Sequence, residues 1–233
     1  MAVALITGGS RGLGRELAAA LLHRGWSVVI DGRDRATLAE AERDLRQRLG
    51  GGGELEAVAG DVTDETHRDA LLAAVARLGG LDLLVNNAST LGAAPLPALA
   101  AYPLDELRRA YEVNVLAPLA LTQGALPLLR GSGNPRIVNV SSDASVGAYE
   151  GWGGYGSSKA ALDHLSAVLA VEEPAVRVWA VDPGDMRTQM HQDAFPGEDI
   201  SDRASPDEVA PQLVALIEGQ RPSGRYRAAE VAP

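Results

Sequence analysis

Short runs of continuous apolar, largely β-branched residues alternate along the chain with longer segments whose apolar positions recur every three or four residues. The first pattern suits strands covered on both faces, the second helices that bury one stripe. Strands are predicted over Val3 to Thr7, Trp26 to Asp31, Leu55 to Ala59, Leu81 to Asn86, Arg136 to Ser141 and Val176 to Val181. Helices are predicted over Arg11 to Arg24, Arg35 to Leu49, Glu65 to Leu78, Leu104 to Leu129 and Tyr155 to Glu172. Pro206 to Glu218 reads as a last helix, with Ser205 as N-cap and proline in the first turn. Each helix is long enough to carry the chain back across a sheet. The alternation therefore predicts βαβ units in an α/β, doubly wound single domain over residues 1–233, with a mostly parallel sheet of six or seven strands flanked by helices.

Gly50 to Gly53 reads as a connecting loop without chemistry. Two loops are longer than such folds need, Ala88 to Pro103 and Asp182 to Ser205. Both leave the carboxyl ends of predicted strands, the edge where open α/β sheets take ligands. The formal charge of −10 argues against nucleic acid or an anionic membrane as the main partner. With no cysteine there are no disulfides and no thiolate metal sites. His23, His67, His164 and His191 lack ligand spacing, so no metal is expected. His191 is read as solvated, in a loop made acidic by Asp193, Glu198, Asp199 and Asp202. The opening apolar run is too short for a signal peptide or a membrane span, which predicts a cytoplasmic protein. Among 21 basic residues the sole lysine is Lys159. Arginine cannot replace a compact ammonium that gives up its proton, so this position invites a chemical explanation.

Directly after the first predicted strand comes Thr7-Gly8-Gly9-Ser10-Arg11-Gly12-Leu13-Gly14, and the helical pattern begins within it. Glycines there let the backbone turn tightly and approach a pyrophosphate, while the helix N-terminus presents unpaired N–H groups. That placement points to a dinucleotide. The tip of the second strand carries opposed signals. An acid there bonds the ribose 2′-OH of NAD, whereas an arginine receives the 2′-phosphate of NADP. Asp31 argues for the first and Arg33, with Arg11 nearby, for the second. In Tyr155-Gly156-Ser157-Ser158-Lys159 the i, i+4 spacing puts phenol and ammonium on one helix face. The ammonium should lower the phenol from its usual pKa of about 10, so that Tyr155 can give or take a proton near neutrality. Asn139-Val140-Ser141-Ser142 delivers two hydroxyls to opposite faces, either of which could polarise a substrate oxygen.

The Thr-Gly-x-x-x-Gly-x-Gly spacing resembles the classical short-chain dehydrogenase/reductase family. Further stretches match it in order over roughly residues 2 to 190. These are Asp61-Val62, Asn86-Asn87-Ala88 with Ser89 in place of the family's glycine, Asn114 in Tyr111-Glu112-Val113-Asn114-Val115, and Pro183-Gly184 with Thr188. The resemblance implies a Rossmann fold and an oxidoreductase that transfers hydride between a nicotinamide and a carbonyl or alcohol. It implies cofactor binding by Gly8, Ser10, Arg11, Gly12, Leu13, Gly14, Arg33, Asp61, Val62, Asn87, Ala88, Tyr155, Lys159, Pro183, Gly184 and Thr188. In the family pattern the NAD-selecting acid falls at Gly32 and the NADP-selecting arginine at Arg33. NADP(H) is therefore preferred, with NAD(H) the alternative if Asp31 holds the ribose. The implied catalytic set is Asn114, Ser142, Tyr155 and Lys159, the serine being the one thirteen residues before the tyrosine. Ser142 would bond the carbonyl oxygen and Tyr155 supply its proton. Lys159 would hold the nicotinamide ribose, with Asn114 reaching Lys159 through water, and Thr188 would fix the carboxamide.

Around that centre Leu91, Ala148, Tyr149, Trp152, Met186 and Met190 form an apolar set suited to a small hydrophobic or aromatic carbonyl compound. The stretches Tyr149 to Tyr155 and Val171 to Val178 resemble the sepiapterin reductase branch. That branch anchors its pterin with an acid near the C-terminus, where this chain has Glu230 alone, so a related reductase fits better than that substrate. An NAD-linked alcohol dehydrogenase is the alternative. A non-catalytic NADP-binding regulator would have no need of Ser142, Tyr155 and Lys159 together. The resemblance further implies a homodimer or homotetramer built through the helices predicted at Leu104 to Leu129 and Tyr155 to Glu172.

Overall fold

A computed structural model describes residues 1–49 and 52–231, so the expected loop at Gly50 to Gly53 lies partly outside the described residues. Strands β1 (Val3–Ile6), β2 (Ser27–Gly32), β3 (Leu55–Ala59), β4 (Leu83–Asn86), β5 (Arg136–Val140), β6 (Arg177–Asp182) and β7 (Gly224–Arg227) form one sheet in the order β3-β2-β1-β4-β5-β6-β7. Every neighbouring pair is parallel, not merely most of them. Helices α1 (Gly12–His23), α2 (Arg35–Gln47), α3 (Glu65–Arg77), α4 (Leu104–Tyr111), α5 (Ala117–Leu129), α6 (Gly153–Glu172), α7 (Gln189–Ala194) and α8 (Pro206–Glu218) complete it. The strand order reverses between β1 and β4, where Ile6 pairs with both Ile30 and Val85 and the chain leaves on opposite sides. A crevice opens there at the carboxyl edge.

The period of two along β1 divides the core. Ala4 and Ile6 pack on one face with Leu13, Leu17, Val209 and Leu213 of α1 and α8, and Val3 and Leu5 pack on the other with Leu71, Val75 and Leu121 of α3 and α5. All four residues of β1 are buried, which is why the strand reads as a continuous apolar run. The strand predicted over Leu81 to Asn86 starts two residues late, after Asp82. The Asp82 carboxylate accepts the Val3 N–H at 2.8 Å, so the ladder proper begins at Leu83.

Three elements differ from the expected order. The helix expected over Leu104 to Leu129 is interrupted by a π turn at Glu112–Leu116, which buries Val113, Asn114 and Val115. That run is long and apolar enough to cross a membrane, but half of its most apolar stretch is buried within the fold. A short helix, α7, stands inside the loop Asp182 to Ser205. The seventh strand is Gly-Arg-Tyr-Arg, whose charged and half-exposed residues present no apolar run. As expected, α8 begins after Ser205, whose N–H donates to Glu208 at 2.7 Å in half of a capping box.

Candidate active site

The glycine-rich turn sits in the crevice between β1 and α1. Gly8 takes φ +68° and Gly12 φ +55°, a backbone region that favours glycine. At Gly14 a Cβ would lie 2.5 Å from both the Asn87 amide nitrogen and the Gly8 oxygen, so no larger residue fits. Arg11 precedes α1 without a side-chain cap, which leaves the first-turn N–H groups directed into the crevice for an anion. Thr7 Oγ1 accepts the N–H groups of Asn87 and Ala88, both at 3.0 Å. The Asn87 amide donates to the oxygens of Thr7 at 2.8 Å and Gly8 at 3.2 Å. Asn87 thus braces the turn with its side chain while it lines the cleft.

Asp31 is also structural. It is 1% exposed, and its Oδ1 accepts the Gly8 N–H at 2.6 Å while its Oδ2 lies 3.0 Å from His67 Nε2. Both Asp31 oxygens therefore have partners within the chain. Sequence reasoning missed His67, which is buried and packs against Gly60. Arg33 and Arg11 are exposed on the crevice wall, and neither forms an ion pair among the described residues. Burial raises the Asp61 carboxyl, but the N–H and hydroxyl of Thr63, with the charges of Arg33 and Arg109, leave it below the usual carboxylate range. Its Oδ1 accepts both Thr63 groups, leaving Oδ2 with only Arg109 at 3.8 Å.

At the end of β5 the two serines separate. Ser141 is 2% exposed and turns toward Ser145. Ser142 caps a short 3₁₀ turn, accepting the Ala144 N–H at 3.2 Å and donating to Asp143 Oδ1 at 3.1 Å. Its hydroxyl adjoins the Tyr155 phenol. Burial pushes that phenol above its ordinary value, while the neighbouring hydroxyls of Ser89 and Ser142 pull the other way. Lys159 is 1% exposed, donates to the Val140 oxygen at 2.7 Å and stands 5.5 Å over the Tyr155 ring centroid. Burial lowers its pKa to about 8, against the charge of Asp163. The expectation that Lys159 brings the phenol down is therefore corrected: both groups are desolvated and burial dominates.

Asn114 lies in the π turn, fully buried. Its Oδ1 accepts from Ser89 Oγ at 3.0 Å and Thr90 N–H at 2.9 Å, and its Nδ2 donates to the Thr90 oxygen at 2.8 Å and Ser158 Oγ at 2.9 Å. These partners use the whole capacity of a primary amide. Ser89, the departure from the family's glycine, is one of them.

The wall beyond Tyr155 is apolar, formed by Leu91, Ala144 and Ala194 with Leu96, Trp152, Met190 and Phe195. The Trp152 ring meets Tyr155 edge-on at 5.7 Å and Phe195 also at 5.7 Å. Of the expected set, Leu91, Trp152 and Met190 are in this wall. Met186 packs on the main core, Ala148 is exposed, and Tyr149 stands 51% exposed at the rim, donating to Asp143 at 3.0 Å. His191 is not solvated. Its side chain is only 9% exposed and stacks on Phe195 at 4.9 Å. Thr188 caps α7, accepting the His191 N–H at 3.2 Å, and its methyl adjoins Gly12. Phe195 and Leu96 were missed, although Phe195 is the sole phenylalanine and falls in a long loop. One cleft of about 1710 Å³ runs from Arg33 past the glycine turn and Pro183-Gly184 to Trp152, room for a dinucleotide together with a second molecule.

Residues 2–199 match the short chain dehydrogenase family. The chain is 36% identical over 249 residues to a rhamnolipids biosynthesis 3-oxoacyl-[acyl-carrier-protein] reductase of Pseudomonas aeruginosa, covering 99% of this chain and 93% of that one. It is 38% identical to sepiapterin reductase of Mus musculus, over 82% of this chain and 77% of the relative. It is 36% identical to a benzil reductase, (S)-benzoin forming, of Saccharomyces cerevisiae, over 82% of this chain and 74% of the relative. Among solved structures, a short chain dehydrogenase from Pseudomonas syringae superposes with a TM-score of 0.90 at 31% identity, covering 97% of this chain and 94% of that one. One from Escherichia coli complexed with NADPH superposes at 0.88 with 28% identity, covering 97% and 96%. Sequence, sheet order and the crevice at the strand reversal agree, and the chain is an oxidoreductase belonging to the short chain dehydrogenase family.

Proposed function

We propose that this chain, as one catalytic domain, is an NADPH-dependent reductase of small apolar or aromatic ketones and aldehydes. The observation that carries the reading is the meeting of Ser142, Tyr155 and Lys159 with an aromatic wall in the same cleft as the glycine turn. The residues fit a nicotinamide dinucleotide: a turn with no room for a Cβ at Gly14, free first-turn N–H groups, and two arginines, Arg33 after β2 and Arg11 at the start of α1, that form no ion pair among the described residues. Bound NADPH supplies the hydride. Arg33 and Arg11 receive the 2′-phosphate, a task that Asp31, engaged by Gly8 and His67, does not oppose. Asp61 Oδ2, 3.8 Å from Arg109, accepts from the adenine amino group beside Val62. Lys159 holds the nicotinamide ribose, and Thr188 with Pro183-Gly184 orients the ring.

Ser142 donates to the substrate oxygen once its hydroxyl turns from Asp143. Tyr155 then delivers a proton to the developing alkoxide. The phenol is protonated at neutral pH and so holds the proton that reduction consumes. The Asn114 side chain is saturated, so a relay water from Lys159 takes its main-chain oxygen. The apolar wall selects for a flat or hydrophobic carbonyl compound. The similarity to benzil and sepiapterin reductases supports this choice.

The test is fluorescence titration with NADPH and NADH, repeated in Arg33→Ala, followed by NADPH oxidation with benzil and other aryl ketones. NADPH should bind more tightly, with a loss of about tenfold or more in the variant. Tyr155→Phe should lose at least ~100-fold in kcat while still binding NADPH. Equal binding of both cofactors, unaffected by Arg33→Ala, would turn the reading toward NAD-linked alcohol oxidation. NADPH binding without turnover of any carbonyl would favour a regulator.

A further inference from the structure

Strand β7 lies at the sheet edge, remote from the glycine turn, yet one of its side chains reaches behind the reaction centre. Arg225 Nη2 donates to the main-chain oxygen of Ser142 at 2.9 Å and to Ser145 Oγ at 3.3 Å, and its Nε donates to Asp163 Oδ2 at 3.0 Å. Ser145 closes the ring by donating to the same Asp163 oxygen at 2.6 Å. Asp182 Oδ2 stands 3.6 Å from the guanidinium, and its Oδ1 accepts the Gly184 N–H at 3.0 Å. One side chain thus joins the turn bearing Ser142, the helix bearing Tyr155 and Lys159, and the end of β6 from which Pro183-Gly184 departs.

The chemistry of the cluster requires a fork. Asp163 is 13% exposed, and its Oδ1 is buried without a partner, so the guanidinium and Ser145 carry its compensation through Oδ2. An ammonium could balance that charge but could not bond Asp163 and the Ser142 oxygen from a rigid plane. Asp163 follows Lys159 by four residues on α6, one helical turn away, and acts on its ammonium.

We propose that Arg225 is a positioning residue for the reductase reading above: it locks the Ser142 turn to α6 and holds Asp163 in place, setting the hydroxyl and the ammonium relative to each other. The proposal rests on that reading for its catalytic arm alone. The charged and titratable groups around the Tyr155 and Lys159 pair are Asp163 on α6, Asp143 on the serine turn, Asp182 at the end of β6, and Arg225 behind Asp163. Removing Arg225 leaves Asp163 less compensated, so Lys159 should keep its proton to higher pH.

Because Lys159 is the sole lysine, protein labelled with [ε-13C]lysine gives one side-chain signal whose pH titration reads this group directly. In Arg225→Gln the midpoint should rise by about half a pH unit or more from its wild-type position near 8. With NADPH and benzil, kcat should fall by about tenfold or more, while the Kd for NADPH stays within about twofold. Arg225→Lys, which keeps the charge and is the gentler variant for folding, should restore the midpoint and leave kcat low. An unchanged kcat or an unchanged lysine midpoint in Arg225→Gln overturns the proposal. The wild-type protein separates the two ideas. If it binds NADPH but reduces neither benzil nor any other carbonyl, the reductase reading fails, and the lysine titration decides the Arg225 link by itself.

Discussion

Lys159 carries its ammonium 1% exposed against the Val140 oxygen, with its pKa lowered by burial to about 8. A cation is present below its pKa and lost above it. If it holds the ribose and supports proton delivery, kcat/KM for reduction should be flat from neutrality to about pH 8 and fall above it. Tyr155, shifted upward, stays protonated across that range and contributes no limb of its own. A kcat/KM that climbs steadily with pH above 8 would contradict both roles. The i, i+4 spacing of this pair was legible in the sequence, but the direction of the phenol shift was not. Spacing gives proximity, whereas desolvation depends on everything packed around the pair. Asp31 makes the same point at the other end of the cleft. Its position at the tip of β2 was readable, but its bond to Gly8 exists because β1 pairs with β2, and its contact with His67 because α3 packs beside that strand.

Among the elements, α7 bears most directly on the specificity proposed above. Thr188 caps it, Ala194 is buried at its end, and Phe195 follows, held between Trp152 and His191. Phe195→Ala should raise KM for aryl ketones by about tenfold and change that for small aliphatic ketones much less, with NADPH affinity intact. Equal losses for both substrate classes would place Phe195 outside the substrate wall. The long helical run shows why some elements could not be read locally. Leu104 to Leu129 keeps a helical pattern throughout, yet a π turn interrupts it so that Asn114 can saturate its amide on Ser89, Thr90 and Ser158. The preference is tertiary, since the partners lie on other segments. Strand β7 was invisible for a related reason: an edge strand with one exposed side needs no apolar run.

For the whole molecule, the helices expected to build an oligomer carry exposed apolar side chains, with Leu104 63%, Leu116 48%, Val168 39% and Val171 80% exposed. Burial between copies would remove that surface from water. Sedimentation should therefore find a dimer or tetramer of the 24.3 kDa chain, and Val171→Glu should weaken it. A wild-type protein sedimenting only as the 24.3 kDa species would rule this assembly out. By itself the sequence determined the α/β alternation, the glycine turn between β1 and α1, the Tyr155 and Lys159 spacing and the match to the family, because each is a local pattern or a motif of fixed spacing. Only the tertiary structure decided that Asp31 and Asn87 brace the turn, that His191 and Phe195 line the cleft, and that Arg225 stands behind Ser142. Those outcomes depend on side chains brought together from distant segments, and hydrogen-bond saturation and burial are properties of that assembled surrounding.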